Sequence, residues 1–232
     1  MGKNFSTPLK KHESILGWFY LVIHTFLMGE AVMWANEALG LGLKGTYIDL
    51  VYYIIGFVFV LAFMFSFLRK SFSDLCDNFG KTITSVALSY LGYYLLSFVV
   101  VALLSLLVPE ISNPNQNTIN DNLQLNANVM KAVGIFLAPV IEEVLFRGVA
   151  FGGIRKKNRI AAYVVSAVLF SVYHLWQYIF IDFEWTTLLY LLQYVPASVM
   201  LCWCYERSRN IWGPIFMHML VNVISLSVNL LI

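Results

Sequence analysis

Charged residues are scarce in this chain of 232 residues: only 12% are Asp, Glu, Lys or Arg, whereas 59% are hydrophobic. Soluble domains usually carry about 25% charged and about 45–50% apolar residues. The shortage of charge excludes a soluble globular domain and a disordered chain. The mean hydropathy of +0.73 points the same way. We therefore predict an integral membrane protein.

The chain also has few cysteines and a small net charge. The chain has 3 cysteines and no Cys-x-x-Cys pair, which excludes a disulfide framework and a cysteine-rich zinc site. The net charge is only +2, and the basic residues are divided among short loops, so no nucleic-acid-binding face is expected. No Lys-led short apolar run ends in an Ala-x-Ala-like cleavage site, so we expect the first apolar segment to be retained.

Long apolar runs make up most of the sequence. A helix needs about 20 mostly apolar residues to cross a bilayer, and seven segments meet this requirement. We predict an all-α, polytopic membrane helix bundle with seven transmembrane helices, or eight if one region contains a further short helix. The predicted spans are Ile15–Leu39, Leu50–Leu68, Val86–Val108, Ala132–Ile154, Ala161–Phe180, Thr187–Tyr205 and Trp212–Ile232.

The basic residues indicate how these spans are oriented. Twelve of the 15 Lys and Arg residues fall in alternate loops, with Lys44 and Lys131 on the opposite side and Arg147 inside a span. Because cytoplasmic loops are rich in Lys and Arg, we predict a cytoplasmic N-terminus. The predicted regions are an N-terminal three-helix membrane region (1–110), a polar, Asn-rich outer loop (111–131) and a C-terminal four-helix core (132–232).

Ionisable residues inside a span are few and usually face one another or a cavity. The fourth span contains Glu142, Glu143 and Arg147. Glu143 and Arg147 are four residues apart with the acid first, an arrangement that favours an ion pair on one helix face. Glu142 is rotated by about 100° from its neighbour. We therefore expect Glu143 to be neutralised while Glu142 faces elsewhere, and two acids in different environments can take different roles.

Two further pairs of residues have the spacing of one helical turn. Phe170 and His174 lie in the fifth span, and His218 and Asn222 lie in the seventh. Counting 1.5 Å per residue from the cytoplasmic ends gives depths of about 18 Å for Glu142 and about 20, 10 and 15 Å for the two histidines and Asn222. The sequence therefore predicts that an acid, two imidazoles and an amide from three helices share one central band of the membrane.

The three motifs resemble those of the CPBP family, the CAAX-protease and bacteriocin-processing membrane proteases, also called the Abi family. The family's motifs are Glu-Glu-x-x-x-Arg, Phe-x-x-x-His and His-x-x-x-Asn, in that order on successive helices. In this chain they stand as Glu142-Glu143-x-x-x-Arg147, Phe170-x-x-x-His174 and His218-x-x-x-Asn222. The Ala-Pro before the acids and the Phe-Arg-Gly after them also look like the family. The resemblance covers about Ala132 to Ser227, about 40% of the chain.

The resemblance implies a glutamic-type endopeptidase that cleaves a peptide bond within or at the membrane. In the family pattern, Glu142 and His174 activate a water, and His218 and Asn222 stabilise the oxyanion. The preceding ion-pair candidates, Glu143 and Arg147, then have a supporting role. The implied partners are the lipid bilayer of a bacterial cytoplasmic membrane and a peptide or membrane-protein substrate. A peptide pheromone, a bacteriocin precursor and a prenyl-CAAX-like protein are all compatible with this pattern.

Several alternatives stay open from the sequence alone. Two histidines and an acid would suit a catalytic zinc with an open fourth position, with Glu142, His174 and His218 as its ligands. No His-Glu-x-x-His pair occurs, and we expect a mechanism without a cofactor. A non-enzymatic bacteriocin immunity or membrane accessory protein is the second reading. A transporter with a proton relay is the third, although the absence of an inverted hydropathy repeat weighs against it.

Two ionisable residues of the first span, His24 and Glu30, belong to none of these motifs. Neither has a polar partner at helical spacing. We therefore expect them to be packing residues or residues at the rim of a site.

Overall fold

The computed structural model describes residues 5–108, 110–181 and 183–229, and within these ranges the chain is helical and contains no strand. The predicted all-α membrane bundle is confirmed. Before the motif region the helices are α1 (Lys11–Phe26), α2 (Met28–Ala38), α3 (Thr46–Phe63), α4 (Phe65–Asp77), α5 (Phe79–Ser105) and α6 (Pro114–Leu125). Residues 127–155 form one continuous helical run, here called the motif helix. It consists of α7 (Ala127–Lys131), π1 (Ala132–Leu137), α8 (Ala138–Glu142), π2 (Glu143–Phe151) and α9 (Gly152–Arg155). The last helices are α10 (Arg159–Ile181), α11 (Trp185–Ser208) and α12 (Trp212–Asn229).

Four helices in the described ranges are long and apolar enough to cross a bilayer: α3, α5, α10 and α11. The pair α1 and α2 meets the same test together but is bent by 60°. The first predicted span is therefore a broken helix, because Leu27 departs from helical geometry with a φ of −119° and Gly29, a weak helix former, follows it. The protein is a multi-pass membrane protein; the count of seven spans and the cytoplasmic N-terminus stay predictions.

Helix α4 begins inside the second predicted span. That span was placed at Leu50–Leu68, whereas α3 ends at Phe63 and α4 begins two residues later. The buried residues of α4 recur at the period of a helix and are Phe67, Leu68, Ser71 and Leu75. Helix α4 is therefore amphipathic and lies with its apolar face against the bundle.

The stretch from 111 to 131 was predicted to be a polar loop, and this prediction was wrong. It contains α6 and α7. Asparagine is a poor helix former, but Asn113 caps α6 by accepting hydrogen bonds from the backbone N–H groups of Asn115 (3.0 Å) and Gln116 (3.4 Å). Pro114 occupies the first helical position, where its missing N–H costs nothing. Capping and packing thus outweigh the low intrinsic propensity of this segment.

One hydrophobic core spans both halves of the chain. It joins residues of α1, α3 and α4 to residues of the motif helix, α10, α11 and α12. The motif helix runs through its centre, with Ile141, Val144, Val149 and Phe151 inaccessible to solvent. Conversely, the outer faces carry large apolar side chains such as Phe98, 76% exposed, as expected for contact with lipid. The motif helix is therefore packed against other helices on most of its sides.

The first of the two π-helical segments of the motif helix has a local cause, and the second begins next to a candidate site residue. Pro139 has no backbone N–H, so the carbonyl of Ile135 cannot receive the usual bond from four residues later. Segment π1 ends two residues before this proline. Short π segments occur often at functional sites because they change which side chains share a face. Here π2 begins at Glu143, directly after Glu142.

Candidate active site

A cavity of about 940 Å³ extends from the motif helix to the polar helix α6. Glu142, His174, His218 and Asn222 all line it. The structure therefore brings the four residues from three separate helical elements to one cavity.

Arg147, Glu143 and His218 form a buried polar chain beside this cavity. Glu143 Oε1 accepts hydrogen bonds from Arg147 Nη1 at 2.9 Å and from His218 Nδ1 at 2.8 Å. Arg147 and Glu143 are inaccessible to solvent, and the guanidinium carbon lies 4.2 Å from the centre of the Phe170 ring. The predicted Glu143–Arg147 pair is confirmed. Its two charges neutralise each other within the core, and its acid also fixes the orientation of His218.

Glu142 occupies the other side of His218. Its Oε2 lies 4.0 Å from His218 Nε2, and within the described part of the chain that oxygen has no hydrogen-bond partner. As expected, Glu142 faces elsewhere than the Glu143–Arg147 pair, because it lines the cavity whereas Glu143 is inaccessible to solvent in the core. The two adjacent acids nevertheless approach opposite nitrogens of the same imidazole. The arrangement leaves Glu142 as a buried carboxylate with an unused oxygen at the cavity wall.

His174 and Asn222 are held by backbone carbonyls. His174 Nδ1–H donates to the carbonyl of Phe170 at 2.8 Å, which leaves Nε2 as the acceptor of a neutral ring. Its ring stacks on Tyr194 with centroids 4.4 Å apart. Asn222 Nδ2 donates to the carbonyl of Gly134 at 2.7 Å and retains a second N–H. Each of the two side chains is therefore oriented while keeping one polar group for a ligand.

The arrangement does not provide a metal cluster in the residues described here. Across residues 5–108, 110–181 and 183–229, no three His, Cys, Asp or Glu side chains are placed to hold a metal ion together. Glu142 and His218 approach each other at 4.0 Å, and His174 has Nε2 left for a ligand because its Nδ1 is bonded to the Phe170 carbonyl. No step below is routed through a metal.

Sequence reasoning missed three tyrosines of the cavity wall. The hydroxyl of Tyr173 lies 3.4 Å from that of Tyr52 and 3.3 Å from that of Tyr53, and all three residues line the cavity. Tyr173 directly precedes His174, so it joins the motif region to α3. Adjacent tyrosines in the middle of an apolar run are the only sequence signal, and by themselves they look like packing residues.

The two unassigned residues of the first predicted span also line the cavity. Glu30 is exposed, which agrees with the rim position considered for it. His24 is only 1% exposed, and neither ring nitrogen has a hydrogen-bond partner among the described residues. Its ring stacks on Tyr52 with centroids 4.5 Å apart. Helix α1 therefore contributes a buried polar side chain that the three motifs do not include.

Residues 124–224 match the family described as type II CAAX prenyl endopeptidase Rce1-like. This segment contains all three motifs and every residue of the polar chain. Over this segment the chain is similar to type II CAAX prenyl endopeptidases of this family. The N-terminal helices, including His24 and the tyrosine pair of α3, lie outside the matched segment.

Two curated proteins are similar to part of this chain. The chain is 29% identical over 110 residues to "Putative membrane peptidase YdiL" of Bacillus subtilis (strain 168), an alignment that covers 44% of this chain and 41% of that protein. It is 33% identical over 87 residues to "UPF0177 protein YxdF" of Lactococcus lactis subsp. lactis (strain IL1403), covering 38% and 42%. The chain thus spans about two fifths of the length of the curated relatives it matches. No solved structure matches it significantly.

Proposed function

We propose that the protein is an intramembrane endopeptidase of a bacterial cytoplasmic membrane that hydrolyses a peptide bond with a glutamate-activated water. The observation that carries the proposal is the buried carboxylate of Glu142, which has an unused oxygen at the wall of a cavity also lined by His174, His218 and Asn222. A soluble binding surface would not need this arrangement. The family match covers the segment that contains these residues and supports peptidase chemistry in general.

In the proposed reaction Glu142 and His174 act together on a water molecule. The carboxylate of Glu142 accepts a proton as the water attacks the peptide carbonyl. His174 Nε2 is the acceptor nitrogen of its ring, since Nδ1–H is bonded to Phe170, and it orients the same water. The proton held by Glu142 then passes to the leaving amine, which completes hydrolysis.

His218 and Asn222 would stabilise the negative oxygen of the tetrahedral intermediate. His218 would act through Nε2, the ring nitrogen that stays available because Nδ1 is bonded to the Glu143 carboxylate. The second N–H of Asn222 supplies another donor. Preorganised donors in a water-poor site are usually worth about 3 kcal/mol each in transition-state stabilisation. Arg147 keeps Glu143 in place and thereby supports His218.

The shape of the cavity supports a peptide substrate that enters from the side of α6. Asn113, Asn115 and Gln116 of the α6 region line the cavity, and amide side chains can hydrogen-bond a peptide backbone. If the basic loops are cytoplasmic, the α6 side faces the outside of the cell. A peptide pheromone or bacteriocin precursor presented at that face fits this access better than a cytosolic prenylated C-terminus does.

Reconstitution tests the proposal directly. The full chain in liposomes is incubated with a bacterial membrane-protein fraction, and new peptide termini are identified by mass spectrometry. We expect a defined set of termini within or next to apolar segments, absent from empty liposomes. The same termini in both samples would contradict endopeptidase activity.

Metal removal is expected to leave this activity unchanged. The described residues place no three-ligand metal cluster at the site, so the water is activated by side chains alone in our proposal. The measurement compares cleavage rates before and after exhaustive chelation, with elemental analysis of the treated protein. Loss of activity on chelation and its recovery on addition of zinc alone would favour the alternative in which Glu142, His174 and His218 hold zinc.

A further inference from the structure

Helix α3 presents an acidic and aromatic wall to the cavity. Asp49, Tyr52 and Tyr53 are spaced by three and four residues, which places them on one face of the helix, and all three line the cavity. We call these residues, with His24 and Tyr173, the α3 wall. It lies outside the matched segment except for Tyr173, and the hydrolytic mechanism above uses none of its members.

The carboxylate of Asp49 is positioned by α6. Asn122 Nδ2 donates to Asp49 Oδ2 at 3.1 Å, and in the described part of the chain no Lys or Arg side chain pairs with this acid. An acid at the edge of a membrane bundle is costly unless it is neutralised. The cavity therefore offers a positioned carboxylate that a cationic group of a ligand would neutralise.

His24 supplies an independent sign that a ligand occupies this wall. Its imidazole is almost fully buried, lines the cavity and has no hydrogen-bond partner among the described residues for either ring nitrogen. A buried imidazole without a partner is destabilising, and a ligand with polar hydrogens would satisfy it. Tyr52 links the two polar side chains of the wall, His24 and Asp49. Its ring stacks on the His24 ring, and Tyr52 is about one helical turn from Asp49 on α3.

The chemistry of the wall favours a cation. Carboxylates attract ammonium and guanidinium groups, and tyrosine rings bind such cations through their π faces. Lys and Arg side chains also have long apolar stems that pass along aromatic surface. We propose that the α3 wall is a substrate subsite that binds a lysine or arginine side chain of the peptide. This inference rests on the proposed function and specifies its substrate class.

The position of the wall sets how far this residue lies from the cleaved bond. Tyr53 and Tyr173 have hydroxyls 3.3 Å apart, and Tyr173 adjoins His174, so the wall begins next to the hydrolytic residues. Asp49 is one helical turn, about 5.4 Å, from Tyr53. With about 3.3 Å per residue for an extended peptide, the cationic side chain belongs within about three residues of the scissile bond.

A cleavage-specificity profile tests the subsite. The full chain in liposomes is incubated with a peptide library made by chymotryptic digestion of a membrane proteome, which leaves Lys and Arg inside the peptides. For the unaltered chain we expect Lys and Arg to be enriched at one position near the cleaved bonds. Asp49→Asn should reduce that enrichment about fivefold. Asp49→Glu, which keeps the charge, should retain it.

Asp121→Asn is the matched control, because Asp121 is an exposed acid of α6 that does not line the cavity. It should leave the profile unchanged. Cuts that depend on Glu142 but show no preference for Lys or Arg, or the same preference in Asp49→Asn, would overturn the subsite and leave the proposed function intact. A library in which no cut depends on Glu142 would instead overturn the proposed function, and the subsite with it.

Discussion

Replacing Glu142 by glutamine is expected to lower kcat/KM for peptide hydrolysis by about a thousandfold. Glutamine has nearly the same shape but cannot accept a proton from water. The carboxylate is buried and its Oε2 has no partner among the described residues, so its removal disrupts no described bond at that atom. The variant should therefore insert into membranes and purify like the unaltered chain. Cleavage rates measured with the same reconstituted substrate provide the test.

Glu30→Gln is the matched control for this substitution. Glu30 lines the same cavity but is exposed at its rim, so the change removes one negative charge without removing the proposed base. We expect its kcat/KM to fall by less than about threefold. A Glu142→Gln variant with activity equal to the control would contradict the glutamate mechanism.

Replacing Arg147 by methionine is expected to destabilise the fold by about 3–5 kcal/mol. The guanidinium and the Glu143 carboxylate are both fully buried and joined at 2.9 Å. Without Arg147, Glu143 becomes a buried acid with His218 as its remaining partner, and the contact of the guanidinium with the Phe170 ring is lost as well. Unfolding of the full chain in detergent micelles, followed by circular dichroism, measures the change.

A double substitution separates the ion pair from general loss of packing. In Glu143→Gln with Arg147→Met both charges are removed, and we expect the loss of stability to be smaller than in Arg147→Met alone. Lys70→Met serves as a control, since Lys70 and Asp74 are also four residues apart but their side chains are 60% and 29% exposed. That variant should change stability by less than about 1 kcal/mol. A double variant that is as unstable as Arg147→Met, or less stable, would contradict the pairing that the structure shows.

The membrane character and the buried ion pair followed from the sequence because each depends on a local pattern. Apolar runs of helical length dictate a bundle in lipid, whatever their packing. The spacing of Glu143 and Arg147 brings them together on one helix without help from the rest of the fold. The gathering of Glu142, His174 and His218 required only that the helices be roughly parallel at similar depth.

The remaining features depend on contacts between helices and therefore could not be predicted from the sequence. The approach of both Glu142 and Glu143 to opposite nitrogens of His218 depends on where α12 places this histidine beside the motif helix, which helical periodicity of one segment does not describe. Helix α6 depends on the cap of Asn113 and on its contacts with Gln193 and Tyr194 of α11. The wall formed by α3 depends on how the N-terminal helices pack against α10, for which the motifs contain no information.

The most direct test of the account is a comparison of the small peptides released by cells that express the intact chain or its Glu142→Gln variant. Mass spectrometry of the culture medium and the membrane fraction identifies each peptide by its termini. The account predicts a set of peptides found only with the intact chain, with both proteins present in the membrane in equal amounts. Identical peptide sets would contradict endopeptidase activity, and survival of the two strains on a peptide toxin would then test the immunity function.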